Sequence, residues 1–150
     1  MDITLKPASK KACDLLFNWA NDEDVRKNSF TNDKILYEDH IKWFNNKISS
    51  DKCFIFILYF GEIPAGQIRI DMESGTGVIS YSIDKDFRGK GLSEIMLSQL
   101  ETEVKKIIKY INNLVGYVKF GNITSQKVFK KLKYEKISHN DFLEYKKIIK

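Results

Sequence analysis

Cysteine is scarce: Cys13 and Cys53 are the only two in the chain, both within apolar segments and with no CxxC spacing or histidine beside them. A disulfide framework and a zinc finger are therefore excluded, and both thiols read as buried and reduced, as in a cytosolic protein. Long apolar runs are missing as well. The longest, Cys53 to Phe60, has strand length and falls far short of the roughly 20 residues that a membrane helix needs. The chain opens with Met1-Asp2-Ile3, already strand-like, so no signal or transit peptide is expected and a cytoplasmic location is. There is no repeat, linker or low-complexity segment. The net charge is +5, but the lysines are scattered apart from Lys105 to Lys109 and Lys130 to Lys133. Nucleic-acid binding would want a denser stripe or a recognition motif. The excess suits a polyanionic small ligand instead.

What remains is 150 residues with 43% hydrophobic and 30% charged, expected to form one domain over 1–150 with a sizeable core. Ile3 to Lys6 reads as a strand stopped by Pro7. Ser9 can cap a helix from Lys10 to Ala20. Asn21 to Lys34 reads as polar and irregular. Tyr37 to Ile48 carries Ile41, Phe44 and Ile48 on one helical face. Cys53 to Tyr59 reads as a strand covered on both faces, and Gln67 to Asp71 alternates as a strand with one wet face. Val78 to Ile83 follows after Gly75-Thr76-Gly77. The stripe Leu92, Ile95, Met96, Leu100, Val104, Ile107 and Ile108 marks a long helix with a core-facing side. Leu114 to Val118 is a strand, Asn122 or Thr124 opens a short helix, and Tyr134 to Ser138 and Phe142 to Ile149 close as strands. This order predicts an α/β architecture, a mixed sheet with helices on its faces.

The segment from Ser80 to Ser93 carries the chemistry. A strand ends in Phe87-Arg88-Gly89-Lys90-Gly91-Leu92-Ser93, which opens the long helix. Glycine lets backbone approach a ligand closely, and the free N–H groups and dipole of a helix start favour an anion. Arg88 and Lys90 add positive charge, so a phosphate or pyrophosphate is the simplest ligand. An ordinary surface turn fits the same residues. The Walker ending Gly-Lys-Ser/Thr is missing, and so is the third glycine of the dinucleotide fingerprint.

With that loop between the fourth strand and the third helix, the whole chain resembles the GNAT superfamily of acyl-CoA-dependent N-acetyltransferases. Arg88, Gly91 and Ser93 stand where that family's loop reads Arg/Gln-x-x-Gly-x-Gly/Ala, with Ser93 departing from the pattern. Asn122, Ser125, Phe129 and Lys133-Tyr134 stand where it reads Asn-x-x-Ala/Ser, a tyrosine four residues on, then Gly-Phe. The resemblance implies a mostly antiparallel seven-stranded sheet splayed between strands 4 and 5, with about four helices. It also implies acetyl-CoA as co-substrate and no metal. Backbone from Arg88 through Gly89, Lys90, Gly91 and Leu92 to Ser93 would hold the pyrophosphate. The strand ending at Ile83 would take the pantetheine arm, and Asn122 would touch that arm or simply cap a helix.

The front half, Trp19-Ala20-Asn21-Asp22 with Arg26 and Ser29, then His40 to Phe44, then Gly66 to Asp71, is similar to amino-sugar N-acetyltransferases. These acylate the 4-amino group of a UDP-linked 4-amino-4,6-dideoxy sugar on the way to pseudaminic-type nonulosonic acids. The same pattern occurs more loosely in ribosomal-protein N-terminal acetyltransferases. A small-amine acceptor, a protein N-terminus and a non-catalytic acyl-CoA-binding module all stay open, as does a homodimer. Phe129 cannot donate a proton where relatives have tyrosine. Tyr81 or Tyr117 could substitute, although either could be a packing residue. His40, Asp71 and Glu73 are candidate bases, with His40 favoured by its intrinsic pKa and Asp71 equally explained by pairing with Arg69. A water relay needs no dedicated base. Trp19, Arg26, Trp43 and Arg69 are candidates to shape the acceptor pocket, with Arg26 facing a nucleotide phosphate. Core packing explains the tryptophans, and solvation explains Arg26, as readily.

Overall fold

The computed structural model describes residues 2–150. Seven strands form one sheet: β1 (Ile3–Pro7), β2 (Cys53–Phe60), β3 (Ile63–Glu73), β4 (Thr76–Ile83), β5 (Asn113–Val118), β6 (Glu135–Ser138) and β7 (Leu143–Ile148), in the order β1-β2-β3-β4-β5-β7-β6. The helices are α1 (Cys13–Ala20), α2 (Glu23–Asn28), α3 (Tyr37–Ile48), α4 (Leu92–Ile107) and α5 (Ile123–Lys131). Short 3-10 turns at Lys10–Ala12 and Lys85–Phe87 precede α1 and the glycine loop. The seven-stranded mixed sheet matches the expected architecture, with five helices, one of them the short α2, where about four were expected. Among the described residues no helix is long and apolar enough to cross a membrane.

All strand pairs are antiparallel except β4 and β5, which run parallel only over Thr76–Ile79 and Asn113–Gly116. Beyond Ile79 the two strands part. Ser80 to Ile83 stay paired with β3 alone, while Tyr117 and Val118 stay paired with β7. The expected splay is therefore present, and it opens a cleft inside the sheet.

β2 has apolar residues throughout because it serves two cores. Phe56 and Leu58 belong to the larger core beneath α4 and α5, whereas Cys53, Ile55 and Ile57 belong to the smaller one beneath α1 and α3. β3 alternates in earnest: Ile68, Ile70 and Met72 are buried, and Gln67, Arg69 and Asp71 are half-buried on the opposite face. That face is the wall of a cavity rather than open solvent.

The segment expected to be irregular contains α2. Asp22 starts it, its carboxylate accepting from the N–H groups of Asp24 at 3.1 Å and Val25 at 3.2 Å. Six residues are too few for a hydrophobic period to show, so the helix is written in its cap and its acidic first turn.

Candidate active site

The glycine loop takes the geometry an anion needs. Gly89 and Gly91 have φ of +78° and +75°, in the left-handed region that glycine adopts without cost. A Cβ added at either meets nothing within 4 Å, so the backbone there faces open space. Gly91 caps α4, whose first N–H groups have no partner within the helix. Leu92 is buried, so its side chain anchors the loop to the core and only its backbone is available to a ligand. Lys90 is exposed and in no ion pair among the described residues.

Arg88 does not offer its charge as expected. Its Nε donates to the Ile83 carbonyl at 3.1 Å, and its terminal nitrogens donate to Asp22 at 2.8 Å and Asp24 at 3.0 Å. The guanidinium ties the loop to α2. Burial works to raise the Asp22 carboxyl, but the Arg88 hydrogen bond and the helix N–H groups outweigh it and hold the carboxyl below its ordinary range. A sequence shows a cation beside two glycines; it does not show two carboxylates more than sixty residues earlier that neutralise it.

Two cavities, each of about 480 Å³, meet at the end of β4. One lies between the sheet and the α1–α3 layer, lined by Arg26, Asp39, His40, Trp43, Gln67 and Arg69 among others. The other fills the splay, lined by Ile83, Arg88, Ser93, Asn122 and Phe129 among others. Val25, Ser29, Ser80, Tyr81 and Ser82 line both.

Tyr81 thus stands at the junction. Its hydroxyl is 2.7 Å from Ser125 Oγ across the splay, and burial pushes its pKa up, only partly offset by that bond. It stays protonated at neutral pH and can give a proton. Ser125 is buried, and its N–H donates to Asn122 Oδ1 at 3.2 Å. Asn122 is therefore the helix cap; its amide nitrogen has no hydrogen bond among the described residues, and the residue lines the same cleft. Phe129 is buried against Tyr134 and Tyr145, and Gly116 lacks the Cβ that would collide with its ring. Tyr117, the other candidate acid, is 44% exposed on the cleft wall and packs edge-on against Phe142.

On the other side, His40 is buried and its Nε2 donates to the Cys13 carbonyl at 2.8 Å, so in the neutral tautomer the lone pair lies on Nδ1. Trp43 lines the cavity with its face covered by Arg69 at 4.9 Å. Asp71 is not placed to act as a base. Lys47 and Arg69 donate to its two oxygens at 2.7 and 2.8 Å, and although burial works to raise its carboxyl, those bonds hold it below the usual range. Cys53, against Asp71, is pushed up to about 12, first by burial and then by that carboxylate, so it stays a neutral thiol. Glu73 is exposed at the far end of β3.

Two acceptor-side expectations are corrected. Arg26 donates to the carbonyls of Ala20 at 2.6 Å, Thr31 at 3.1 Å and Asp33 at 3.3 Å and to Ser29 Oγ at 3.2 Å. Four of the roughly five N–H groups a guanidinium has are taken, so it organises residues 20–33 rather than waiting for a phosphate. Trp19 is buried outside the cavity wall, its indole N–H donating to Asp84 Oδ2 at 2.7 Å. It tethers α1 to the turn before the glycine loop. The sequence shows Ser125 only as a motif position and gives no role to Asp24 or Asp84; for Asp84 the available signal is its place as the cap of the turn before the glycine loop.

A sequence profile described as an acetyltransferase (GNAT) domain matches residues 2–135. No curated protein matches the chain. Among solved structures, the spermidine N-acetyltransferase of Vibrio cholerae, in complex with CoA and spermine, superposes with a TM-score of 0.86 at 11% identity, covering 97% of this chain and 95% of that one. An N-acetyltransferase of Staphylococcus aureus gives 0.83 at 20%, covering 100% of both. An acetyl transferase of Salmonella typhimurium that modifies the N-terminal serine of a 50S ribosomal subunit protein gives 0.82 at 16%, covering 99% and 95%. At these identities the likeness is one of fold.

Proposed function

The chain belongs to the GNAT acetyltransferase family, and from that premise we propose that it moves an acetyl group from acetyl-CoA to the 4-amino group of a UDP-linked 4-amino-4,6-dideoxy sugar. The observation that carries this reading is the meeting of two cavities of equal size at Ser80, Tyr81 and Ser82. Bringing two reactants to one point supplies much of the rate of a bimolecular transfer.

The cleft residues fit acetyl-CoA. The open backbone of Gly89 and Gly91, the start of α4, Ser93 and the Asn122 amide would hold its phosphates and arm, and Ile83 forms part of the wall. The co-substrate supplies the reactive thioester. Backbone N–H groups of β4 beyond Ile79, released from β5, can polarise a carbonyl. Tyr81, steadied by Ser125, holds a proton at its hydroxyl beside the junction and takes over the role that Phe129 cannot fill. His40 Nδ1 is the basic nitrogen on the acceptor side, reached directly or through water. The amino-sugar choice is supported by the front-half sequence pattern and by a cavity combining an aromatic wall, Trp43, with amide and hydroxyl groups at Gln67, Ser80 and Ser82. A protein N-terminus is the second reading, favoured by the acceptor of the Salmonella typhimurium neighbour. A binding-only module loses its motive once Tyr81 is available as the proton donor.

The test is mass spectrometry of acetyl-CoA with a panel of UDP-4-amino-4,6-dideoxy sugars, with and without the protein. A gain of one acetyl group on one sugar with CoA released is the expected result. No gain on any sugar while acetyl-CoA still binds would remove the sugar reading and favour a peptide acceptor.

A further inference from the structure

The acceptor-side cavity carries a charge that its own walls leave unmatched. Lys47 and Arg69 share one carboxylate, Asp71, so the cluster holds one positive charge in excess. Its side chains are only 33%, 23% and 23% exposed, where water screens poorly. Arg69 is the member that lines the cavity. Three contacts fix it: Nε to Asp71 at 2.8 Å, one terminal nitrogen to Ser80 Oγ at 3.2 Å, and its plane over Trp43 at 4.9 Å. Its other terminal nitrogen makes no hydrogen bond among the described residues. A guanidinium held on one edge and stacked on its face presents the rest of its fork to an oxyanion at little entropic cost.

The other charged groups on this wall do not cancel it. Arg26 is positive and tied to backbone carbonyls, and Asp39 is exposed on the first turn of α3. Ser80 and Ser82 lie on the same wall and also line the junction with the other cavity. An anion at Arg69 would therefore belong to the same acceptor whose amine reaches Tyr81.

We propose that the acceptor carries an anionic group, phosphate or carboxylate, beside its reacting amine, and that Arg69 binds that group and selects for it. This rests on the acetyl-transfer reading above. Arg69 is a specificity residue here and moves no proton.

The experiment measures kcat/KM at saturating acetyl-CoA for matched amines with and without an anion. The phosphate arm compares UDP-4-amino-4,6-dideoxy sugars with the free 4-amino-4,6-dideoxy sugars, and glucosamine 6-phosphate with glucosamine. The carboxylate arm compares an amino acid with its amide, and spermidine is the cationic control. The anion-bearing member of at least one arm is expected to be preferred by about 10-fold or more, the range of a hydrogen bond to a charged group. Which arm shows it identifies the source of the anion. Arg69→Gln should erase the preference through KM, Arg69→Lys should restore part of it, and acetyl-CoA affinity should not change in either, since Arg69 does not line the second cavity. Equal turnover of both members in each arm, or a preference that survives Arg69→Gln with intact acetyl-CoA binding, would overturn the inference and leave acetyl transfer standing. No turnover of any amine with acetyl-CoA bound would overturn both.

Discussion

In the proposed transfer, Tyr81 does at the junction what the chain's second motif leaves undone at Phe129. Its hydroxyl is 2.7 Å from Ser125 Oγ, and burial keeps it protonated, so the proposed acid role needs no low pKa. Tyr81→Phe should lower kcat by roughly 10²-fold, the lower end of general acid contributions because a thiolate leaves readily, with little change in KM. Steady-state kinetics check this. Because the pKa is raised, the tyrosine should impose no alkaline loss of kcat below about pH 10. Ser125→Ala should cost less than Tyr81→Phe, since it removes the steadying bond and not the proton. Gly116 is the companion of Phe129. A Cβ there would collide with the ring's ζ carbon, in a packed core. Gly116→Ala should destabilise by about 3 kcal/mol or more, read by urea denaturation. Tyr81, like Tyr117, is legible in the sequence as a tyrosine on a strand flanking the expected cleft, whereas Ser125 is only a motif position. The bond between them joins residues 44 apart, and no local pattern encodes it.

At the scale of elements, the glycine loop and α2 act as one piece. Arg88 reaches Asp22 and Asp24, and Trp19 reaches Asp84, so α1 and α2, which wall the cavity against the sheet, are tied to the turn and loop that lead into α4. Asp22→Asn removes a cap acceptor's charge and one partner of Arg88. It should destabilise by about 1–2 kcal/mol and raise KM for both substrates, because both cavities share Val25 and Ser29. Thermal unfolding and two-substrate kinetics measure the two effects. Gly91→Ala belongs to the loop itself. With nothing near the added Cβ, the fold should lose only the roughly 1–2 kcal/mol of left-handed backbone strain. In the proposed binding mode the methyl stands where the phosphates of acetyl-CoA approach, so the KM for acetyl-CoA should rise with kcat nearly constant. The loop was legible because glycine spacing and a helix start are local. α2 was not, because six residues held by a cap and by distant partners leave no hydrophobic period.

Over the whole molecule, the acid response follows from two carboxylates. Asp22 and Asp71 are held below their ordinary range by their partners, so each contributes stability that is complete above the unfolded carboxyl value of about 4 and is lost as pH falls through the folded one. The urea midpoint should therefore drop as pH is lowered from about 5 to 3. Asp71→Asn should be less stable at neutral pH and show a shallower drop. An equal slope in the two proteins would mean that the Lys47–Asp71–Arg69 cluster contributes nothing to the acid response. The splay of β4 from β5 is also a property of the whole sheet. It arises because β5 continues into its pairing with β7 while β4 follows β3.

The sequence by itself determined the strand order along the chain, every helix except α2, the two-sided burial of β2 and the glycine loop, since each rests on near-neighbour spacing: periods of two and 3.6, a cap, a turn; the family resemblance rested on two short motifs. Only the tertiary structure decided which charges are free. Arg88 and Arg26 looked like ligands for phosphate and are closed off by Asp22, Asp24 and backbone carbonyls, while Arg69 keeps a free edge because one carboxylate serves two cations. Charge is a property of a residue, but its availability depends on partners brought by the fold from far along the chain.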